Sequence, residues 1–188
     1  PDAEFSLNSL RAELDRLTGG AWQMDLQSCG GTSNQHVGFL WKSSRVTLLK
    51  LADVWELNGA ATGPTDNACT GNLRPGRYAQ AKTPIGVDFH LLSVHFDSGT
   101  TARDYHYRRQ AVQRIGQIQV GNTPILELDR DVLVLGDDNT MGREEAPPVS
   151  AQEELAVLDG ELAPGFRRLA MTAASPIRAR SASSTTGE

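Results

Sequence analysis

The sequence predicts an α/β (α+β) domain in which a mixed sheet and helices form a sandwich. Three observations favour this class. The apolar run at residues 132–135, bounded by Asp131 and Gly136, is typical of a strand buried on both faces. Strand and helix patterns intermix without the strict alternation of a doubly wound parallel sheet. Two strand-like runs flank Pro84-Ile85-Gly86, which indicates a hairpin and therefore antiparallel neighbours.

The chain is long enough for one domain with a substantial core. It has 188 residues, of which 39% are hydrophobic and 22% charged, as in ordinary globular proteins. We expect a single domain over residues 1–171. From 172 to 188 the sequence is dominated by Ser, Ala, Arg and Thr, which predicts a loop or a disordered tail.

Charge and hydropathy exclude two broad classes. The apolar runs are too short for a membrane-spanning helix. A net charge of −5 does not indicate a broad basic surface for non-specific nucleic-acid binding. A nuclease stays possible, because a metal ion and a few arginines at one site can bind phosphate within an acidic protein.

The two cysteines, Cys29 and Cys69, leave the compartment open. Both lie in turn-rich segments a few residues before a predicted strand. Facing loops would allow a disulfide, which would indicate a secreted or periplasmic protein. Two unpaired thiols would indicate a cytoplasmic one.

Apolar periodicity and capping residues locate the predicted elements. Ser6 can cap a helix that ends at Gly19-Gly20 and turns a leucine stripe inward, formed by Leu7, Leu10, Leu14 and Leu17. Thr101 with Asp104 and Ser150 with Glu153 are capping boxes, which open helices to about residues 120 and 158. Strands are predicted over residues 21–26, 37–41, 46–57, 77–82, 87–96, 132–135 and 166–171. Residues 28–34 predict a turn, and residues 58–75 predict a long loop of the kind that is often functional.

The residues directly after the 132–135 strand can carry chemistry. Asp137 and Asn139 are two positions apart and can point the same way in an extended turn. A carboxylate can accept a proton from water or bind a hard cation, and an amide can orient a water or a phosphate oxygen. The alternative is a Gly-Asp-x-Asn turn whose side chains only satisfy backbone groups.

Three further polar residues are candidates beside that turn. His95 ends a buried strand, where it can contact a phosphoryl oxygen or be an internally satisfied core histidine. Arg77 opens a strand, and its planar fork suits phosphate, although a surface arginine is the simpler interpretation. The long helix carries Arg103, Arg108, Arg109 and Arg114, most of which are expected to form a solvated face, while Arg109 can face the site.

The order of these features resembles the endonuclease/exonuclease/phosphatase superfamily, the deoxyribonuclease-I-like fold. The resemblance covers nearly the whole chain and rests on Arg77, residues 91–98, the helix with Arg109-Gln110, and residues 132–140. Residues 34–41 look like another strand of that family. The family's metal-binding Gln-Glu strand and its terminal Asp-His strand are not visible, so we expect a sandwich that is incomplete at both ends.

The resemblance implies roles for individual residues. Asp137 would activate the attacking water, Asn139 would position phosphate and water, and His95 would contact the scissile phosphate. Arg77, Asn34 and Arg109 would bind substrate. Mg²⁺ or Mn²⁺ would be held by Asp137 and Asn139, with the main glutamate ligand outside this sequence.

The implied function is metal-dependent hydrolysis of phosphodiesters by a monomer, with DNA or RNA as the expected substrate. A phosphomonoesterase, a sphingomyelinase or a catalytically inert binding module with the same fold are the alternatives.

Overall fold

The computed structural model describes residues 3–27, 35–57, 75–128, 131–162, 164 and 166. Its helices are α1 (Ala3–Thr18), α2 (Ala102–Ile115), α3 (Ile125–Leu128) and α4 (Ala151–Glu161), with a 3-10 turn at Trp55–Leu57. Its strands are β1 (Trp22–Leu26), β2 (Gly38–Lys42), β3 (Thr47–Val54), β4 (Gly76–Lys82), β5 (Asp88–His95), β6 (Gln119–Val120), β7 (Thr123–Pro124) and β8 (Val132–Asp137). None of these helices is long and apolar enough to cross a membrane.

The central sheet is mixed and has the strand order β3-β4-β5-β8. Strands β3, β4 and β5 are antiparallel neighbours, and β8 joins β5 in parallel. The predicted hairpin is confirmed, because β4 and β5 pair about the turn that contains Gly86 at φ +91°. Strands β1 and β2 form a separate antiparallel pair. This mixture of strand directions, with the four helices of the described residues, confirms the α+β class.

The core lies between one face of the central sheet and α2. Leu92 and Val94 of β5 point into it, and α2 contributes Val112 and Ile115. The predicted capping box is present, since the Thr101 side chain accepts from the amide of Asp104 and the Asp104 side chain accepts from the amide of Thr101. Helix α2 ends at Ile115, earlier than predicted, but Ile118 beyond it is fully buried.

The opposite face of β8 corrects the prediction of a strand buried on both sides. Val132 and Val134 pack against the core, but Leu133 and Leu135 are 43% and 56% exposed. Side chains alternate along a strand, and the described residues leave Leu133 and Leu135 of the second face partly uncovered. A run of four apolar residues therefore has one buried and one exposed side here.

The first helix corrects a second prediction. Helix α1 begins at Ala3, so Ser6 lies within it and is not its N-cap. Leu10 and Leu17 of the predicted inward stripe are 49% and 62% exposed. The helix packs beside β1 through polar contacts, in which the amide of Trp22 donates to Asp15 at 2.9 Å. Leu7 and Leu14 of the same stripe are half-buried, so the stripe is only partly covered within the described residues.

Other predicted elements have mixed outcomes. The capping box of Ser150 and Glu153 opens α4 as expected. The run at 46–57 divides into β3 and the 3-10 turn. Phe166 packs against the core outside any strand, and residues 167–171 of the strand predicted there lie outside the described residues. The predicted turn at 28–34, the loop residues 58–74, the tail at 172–188, and Cys29 and Cys69 also lie outside them.

Candidate functional site

His95 and Asp137 are direct neighbours in the sheet. They are paired in the parallel register of β5 and β8, at the last residue of each strand. Adjacent strands lie about 4.8 Å apart, and paired side chains leave the sheet on the same face. The structure therefore brings together two of the predicted residues, which are 42 positions apart in the chain (137 − 95).

A glycine makes this close pairing possible. Gly136 has φ +147°, a conformation that favours glycine, and a Cβ there would overlap the carbonyl oxygen of Val94. The next backbone bond continues the ladder beyond the strands, as the amide of Phe96 donates to the carbonyl of Asp137 at 2.9 Å. The ends of the two strands are thus fixed to each other at the candidate site.

Asn139 lies in the turn that directly follows β8. It has φ +49°, which asparagine tolerates better than most residues. Its amide donates to Oδ1 of Asp137 at 2.9 Å, and its side-chain Nδ2 donates to the carbonyl of Phe96 at 2.8 Å. The turn interpretation is therefore correct as geometry. Within the described residues, the second oxygen of Asp137 and the amide oxygen of Asn139 stay unbonded, so the same turn presents two oxygens to a ligand.

Arg77 lies on the same face of the sheet, one row behind His95. It pairs with Ser93 of β5, which in turn pairs with Leu135 of β8. Its Nε and one terminal nitrogen donate to both oxygens of Asp25 at 2.6 and 2.9 Å, and the other terminal nitrogen donates to Asp53 at 2.8 Å. Arg77 therefore ties β1 to the central sheet.

The two carboxylates govern the charge of Arg77. Burial alone would lower the pKa of its guanidinium, but hydrogen bonds and opposite charge from Asp25 and Asp53 outweigh it and raise the pKa. The group stays a cation, yet Arg77 and its two carboxylate partners together form a set with more negative than positive charge. A substrate phosphate would have to compete with Asp25 and Asp53 for its donors.

The structure places Arg109, another predicted substrate contact, between two helices and not at the site. Arg109 bonds Glu161 of α4 and lies over the ring of Tyr105, so its donors are used between the helices. The bond to Glu161 raises the pKa of Arg109 despite partial burial. Asn34 lies outside the described residues.

Arg108 corrects the prediction of a solvated arginine face. Its side chain is fully buried and pairs with the equally buried Glu154 of α4. The sequence contains a signal for this, because Arg108 falls on the same helical stripe as Ala111, Val112 and Ile115. A charged residue at a core position of an amphipathic pattern is expected to have a buried partner.

Two carboxyl groups lie behind the site. Asp97 follows His95 by two residues and is buried, as is Asp104 of the capping box. Burial, then the charge and hydrogen bond of Asp104, raise the pKa of Asp97. Burial would also raise the pKa of Asp104, but hydrogen bonds from Thr101 and the charge of Arg103 lower it. Of the two carboxyl groups, Asp97 therefore holds its proton more tightly than Asp104.

The side-chain oxygens of Asp137 and Asn139 fit only an open metal site, in which other ligands fill the remaining positions. Within the described residues no group of three or more His, Cys, Asp or Glu is arranged to hold a metal ion. Mg²⁺ is commonly bound by one or two carboxylates, with water and substrate phosphate in the other positions. The two unbonded oxygens of Asp137 and Asn139 match that minimum. Such a site would depend on substrate or on further ligands for its affinity.

Comparisons with known proteins identify no family. No family model matches the chain, and no curated protein matches it. Among solved structures, the chain is similar to a functionally unknown conserved protein from Enterococcus faecalis V583, with 17% sequence identity and a TM-score of 0.46. The match covers 70% of this chain and 48% of that chain, so this chain spans about half of its length. The fold and site thus define an α+β protein with a polar corner at the end of two parallel strands.

Proposed function

We propose that the protein hydrolyses phosphodiesters, as a nuclease of the deoxyribonuclease-I-like type. The observation that carries the proposal is the adjacency of His95 and Asp137 at the ends of two parallel strands, with Asn139 in the following turn. Ligands of α/β proteins commonly bind at this edge of a parallel pair. A base and a proton donor side by side suit attack of water on a phosphate.

The hydrogen bonds refine the role of each residue. Asp137 uses one oxygen to accept from the amide of Asn139, so its other oxygen would draw the proton from the attacking water. Asn139 uses its side-chain N–H toward Phe96, so it would orient that water through its amide oxygen. His95 would donate to a phosphoryl oxygen and offset the charge that develops there.

The proposed cofactor is Mg²⁺ or Mn²⁺, with Asp137 and Asn139 as its protein ligands. When bound, the cation would stabilise negative charge on the phosphate and on the leaving oxygen. Arg77 would contact the phosphate from the same face where the phosphate displaces Asp25 or Asp53 from its donors.

The test is hydrolysis of bis-p-nitrophenyl phosphate, plasmid DNA and RNA by the purified protein, with Mg²⁺, with Mn²⁺ and with EDTA. Asp137→Asn keeps an oxygen for the bond from Asn139 but removes the base, so we expect a loss of at least about 100-fold. Asp138→Asn removes the same charge from the neighbouring exposed position and serves as the matched control. Equal activity of the wild type and Asp137→Asn, or no hydrolysis under any condition, would contradict the proposal.

Two alternatives are separated by the same assay. p-Nitrophenyl phosphate and sphingomyelin vesicles as additional substrates distinguish a phosphomonoesterase or a sphingomyelinase from a nuclease. A catalytically inert binding module is favoured by the neutralisation of Arg77 by Asp25 and Asp53. It predicts binding of a ligand or partner without turnover of any substrate, and no metal affinity in titration calorimetry.

A further inference from the structure

The buried guanidinium of Arg108 is fully satisfied by groups from three segments. Its Nε and one terminal nitrogen donate to the two oxygens of Glu154, at 2.6 and 3.1 Å. The remaining N–H groups donate to the backbone carbonyls of Asp97, Gly99 and Gly142, at 3.2, 2.8 and 2.9 Å. All five donors of the arginine are therefore used, as an interior position requires.

Glu154 completes the network from the opposite side. Its side chain is fully buried, and its Oε2 also accepts the amide of Gly142 at 2.7 Å. Gly142 has φ +81°, and a Cβ there would overlap the carbonyl of Val149, so the loop lies close against the backbone that leads into α4. Both backbone groups of Gly142 are thereby held by the Arg108–Glu154 pair.

The three carbonyls belong to the two loops that leave the candidate site. Asp97 and Gly99 lie two and four residues after His95, and Gly142 lies five residues after Asp137. At the site itself, the loops are joined by the bond from Asn139 to Phe96. Farther along, the loops are also joined directly, because the amide of Gly99 donates to Sδ of Met141 at 3.4 Å and the amide of Glu144 donates to the carbonyl of Thr100 at 2.8 Å. The Arg108–Glu154 pair bonds to both loops as well and attaches them to α2 and α4.

Stability alone does not account for a charged pair at this place. Taking two charges out of water costs much of what their attraction provides, and well-packed apolar residues often serve as well. What an apolar pair lacks is direction, since it has no donors to aim at three carbonyls of two different loops. The planar fork of arginine supplies that direction.

We propose that Arg108, together with Glu154, is a positioning residue that sets the placement of the His95 loop against the Asp137–Asn139 turn. The pair acts through the backbone of residues 97–99 and 142 and does not touch the reacting groups. This inference rests on the proposed function for its catalytic consequence, but not for the coupling of the two loops.

The experiment compares Arg108→Lys with Ile115→Ala. Lysine keeps the charge but has three donors in place of five and no planar fork. Ile115 is a buried residue of the same helix with no polar side-chain atom, so its truncation lowers stability without releasing either loop. Hydrogen exchange is measured at the amides of residues 97–101 and 138–142, together with kcat and KM for bis-p-nitrophenyl phosphate.

For Arg108→Lys we expect exchange in both loops to become roughly tenfold faster, and kcat to fall by on the order of tenfold or more with little change in KM. Ile115→Ala should show neither local effect. The proposal would be overturned if Arg108→Lys and Ile115→Ala showed the same exchange rates in the two loops. It would also be overturned if exchange in Arg108→Lys were the same as in the wild type. Because exchange needs no turnover, an inactive wild type would refute the proposed function while exchange still decides the role of Arg108.

Glu154→Gln keeps the experiment decisive if Arg108→Lys does not fold. Glutamine retains one carbonyl oxygen in the same volume but loses the second acceptor and the charge. We expect faster exchange mainly in residues 138–142, because Glu154 accepts directly from Gly142. Unchanged exchange there would contradict the proposed positioning role of the pair.

Discussion

The two faces of the central sheet are built from the same strands but differ in what they contribute. On the covered face, Tyr78, Leu92 and Val94 are 2%, 0% and 5% exposed beneath α2. On the open face, Leu51, Leu133 and Leu135 are 39%, 43% and 56% exposed. The candidate site lies at the end of the open face, where His95 and Asp137 meet. Apolar burial is therefore concentrated on the side away from the proposed chemistry.

This difference shows how the site residues are held. His95 and Asp137 are placed by strand register, by Gly136 and by backbone bonds at the strand ends, with little apolar packing around them. The covered face holds the sheet together, and the polar network of Arg108 transmits that order to the loops. Substitutions on the two faces should consequently separate stability from activity.

The largest expected effect is the loss of stability when a leucine of the covered face is truncated, compared with the same change on the open face. Leu92→Ala should lower the free energy of unfolding by about 2–5 kcal/mol, because it opens a cavity in the core. Leu135→Ala, the same change on the open face, should cost less than about 0.5 kcal/mol. Urea unfolding followed by circular dichroism measures both values. Similar losses for the two variants would mean that the open face is covered in solution, and the contrast between the faces would fail.

A smaller effect is expected within the covered face. The Tyr78 hydroxyl and Nδ1 of His90 are 2.6 Å apart, and both residues are buried. Burial raises the pKa of Tyr78 to about 12, so its hydroxyl keeps its proton and forms a hydrogen bond with Nδ1 of His90. Tyr78→Phe leaves that nitrogen buried without a partner and should cost about 1–3 kcal/mol in unfolding free energy.

Tyr107→Phe is the matched control for the lost hydroxyl. Tyr107 lies on α2, is half-buried, and has no hydroxyl bond within the described residues. Its substitution should change the free energy of unfolding by less than about 0.5 kcal/mol in the same urea assay. A Tyr78→Phe variant as stable as this control would show that the bond to His90 contributes nothing.

Features with local signals were predictable from the sequence. The hairpin about Gly86 and the capping boxes at Thr101 and Ser150 depend on residues within a few positions of each other. The turn after β8 is of the same kind, and its bond from Asn139 to Asp137 spans two residues.

Features that depend on distant partners were not predictable. Arg77 meets Asp25 and Asp53 across 52 and 24 positions, and no local pattern indicates either carboxylate. The exposure of Leu133 depends on whether a layer covers it, which a run of four apolar residues does not reveal. Even the adjacency of His95 and Asp137 followed from a family resemblance, because parallel register is set by packing over the whole sheet.

The smallest predicted effect is a pH dependence behind the site. A carboxyl group whose pKa is raised in the folded protein holds its proton more tightly there than in the unfolded chain. For Asp97, stability is therefore highest at low pH and falls as the pH rises from the ordinary value of 3.8 through the raised pKa. Asp104, whose pKa is lowered, contributes in the opposite direction and loses its contribution as the pH falls through its own pKa.

Asp97→Asn isolates the first of these contributions. Asparagine keeps an N–H donor for Asp104 at every pH, so the fall in stability above 3.8 should become shallower than in the wild type. Thermal unfolding across this pH range measures the slope, with Asp88→Asn at the exposed start of β5 as the control for lost charge. Equal slopes for wild type and Asp97→Asn would show that Asp97 ionises without hindrance. The Asp97 and Asp104 carboxyl groups would then be open to water, which would mean that the burial of the covered face does not extend beyond the end of β5.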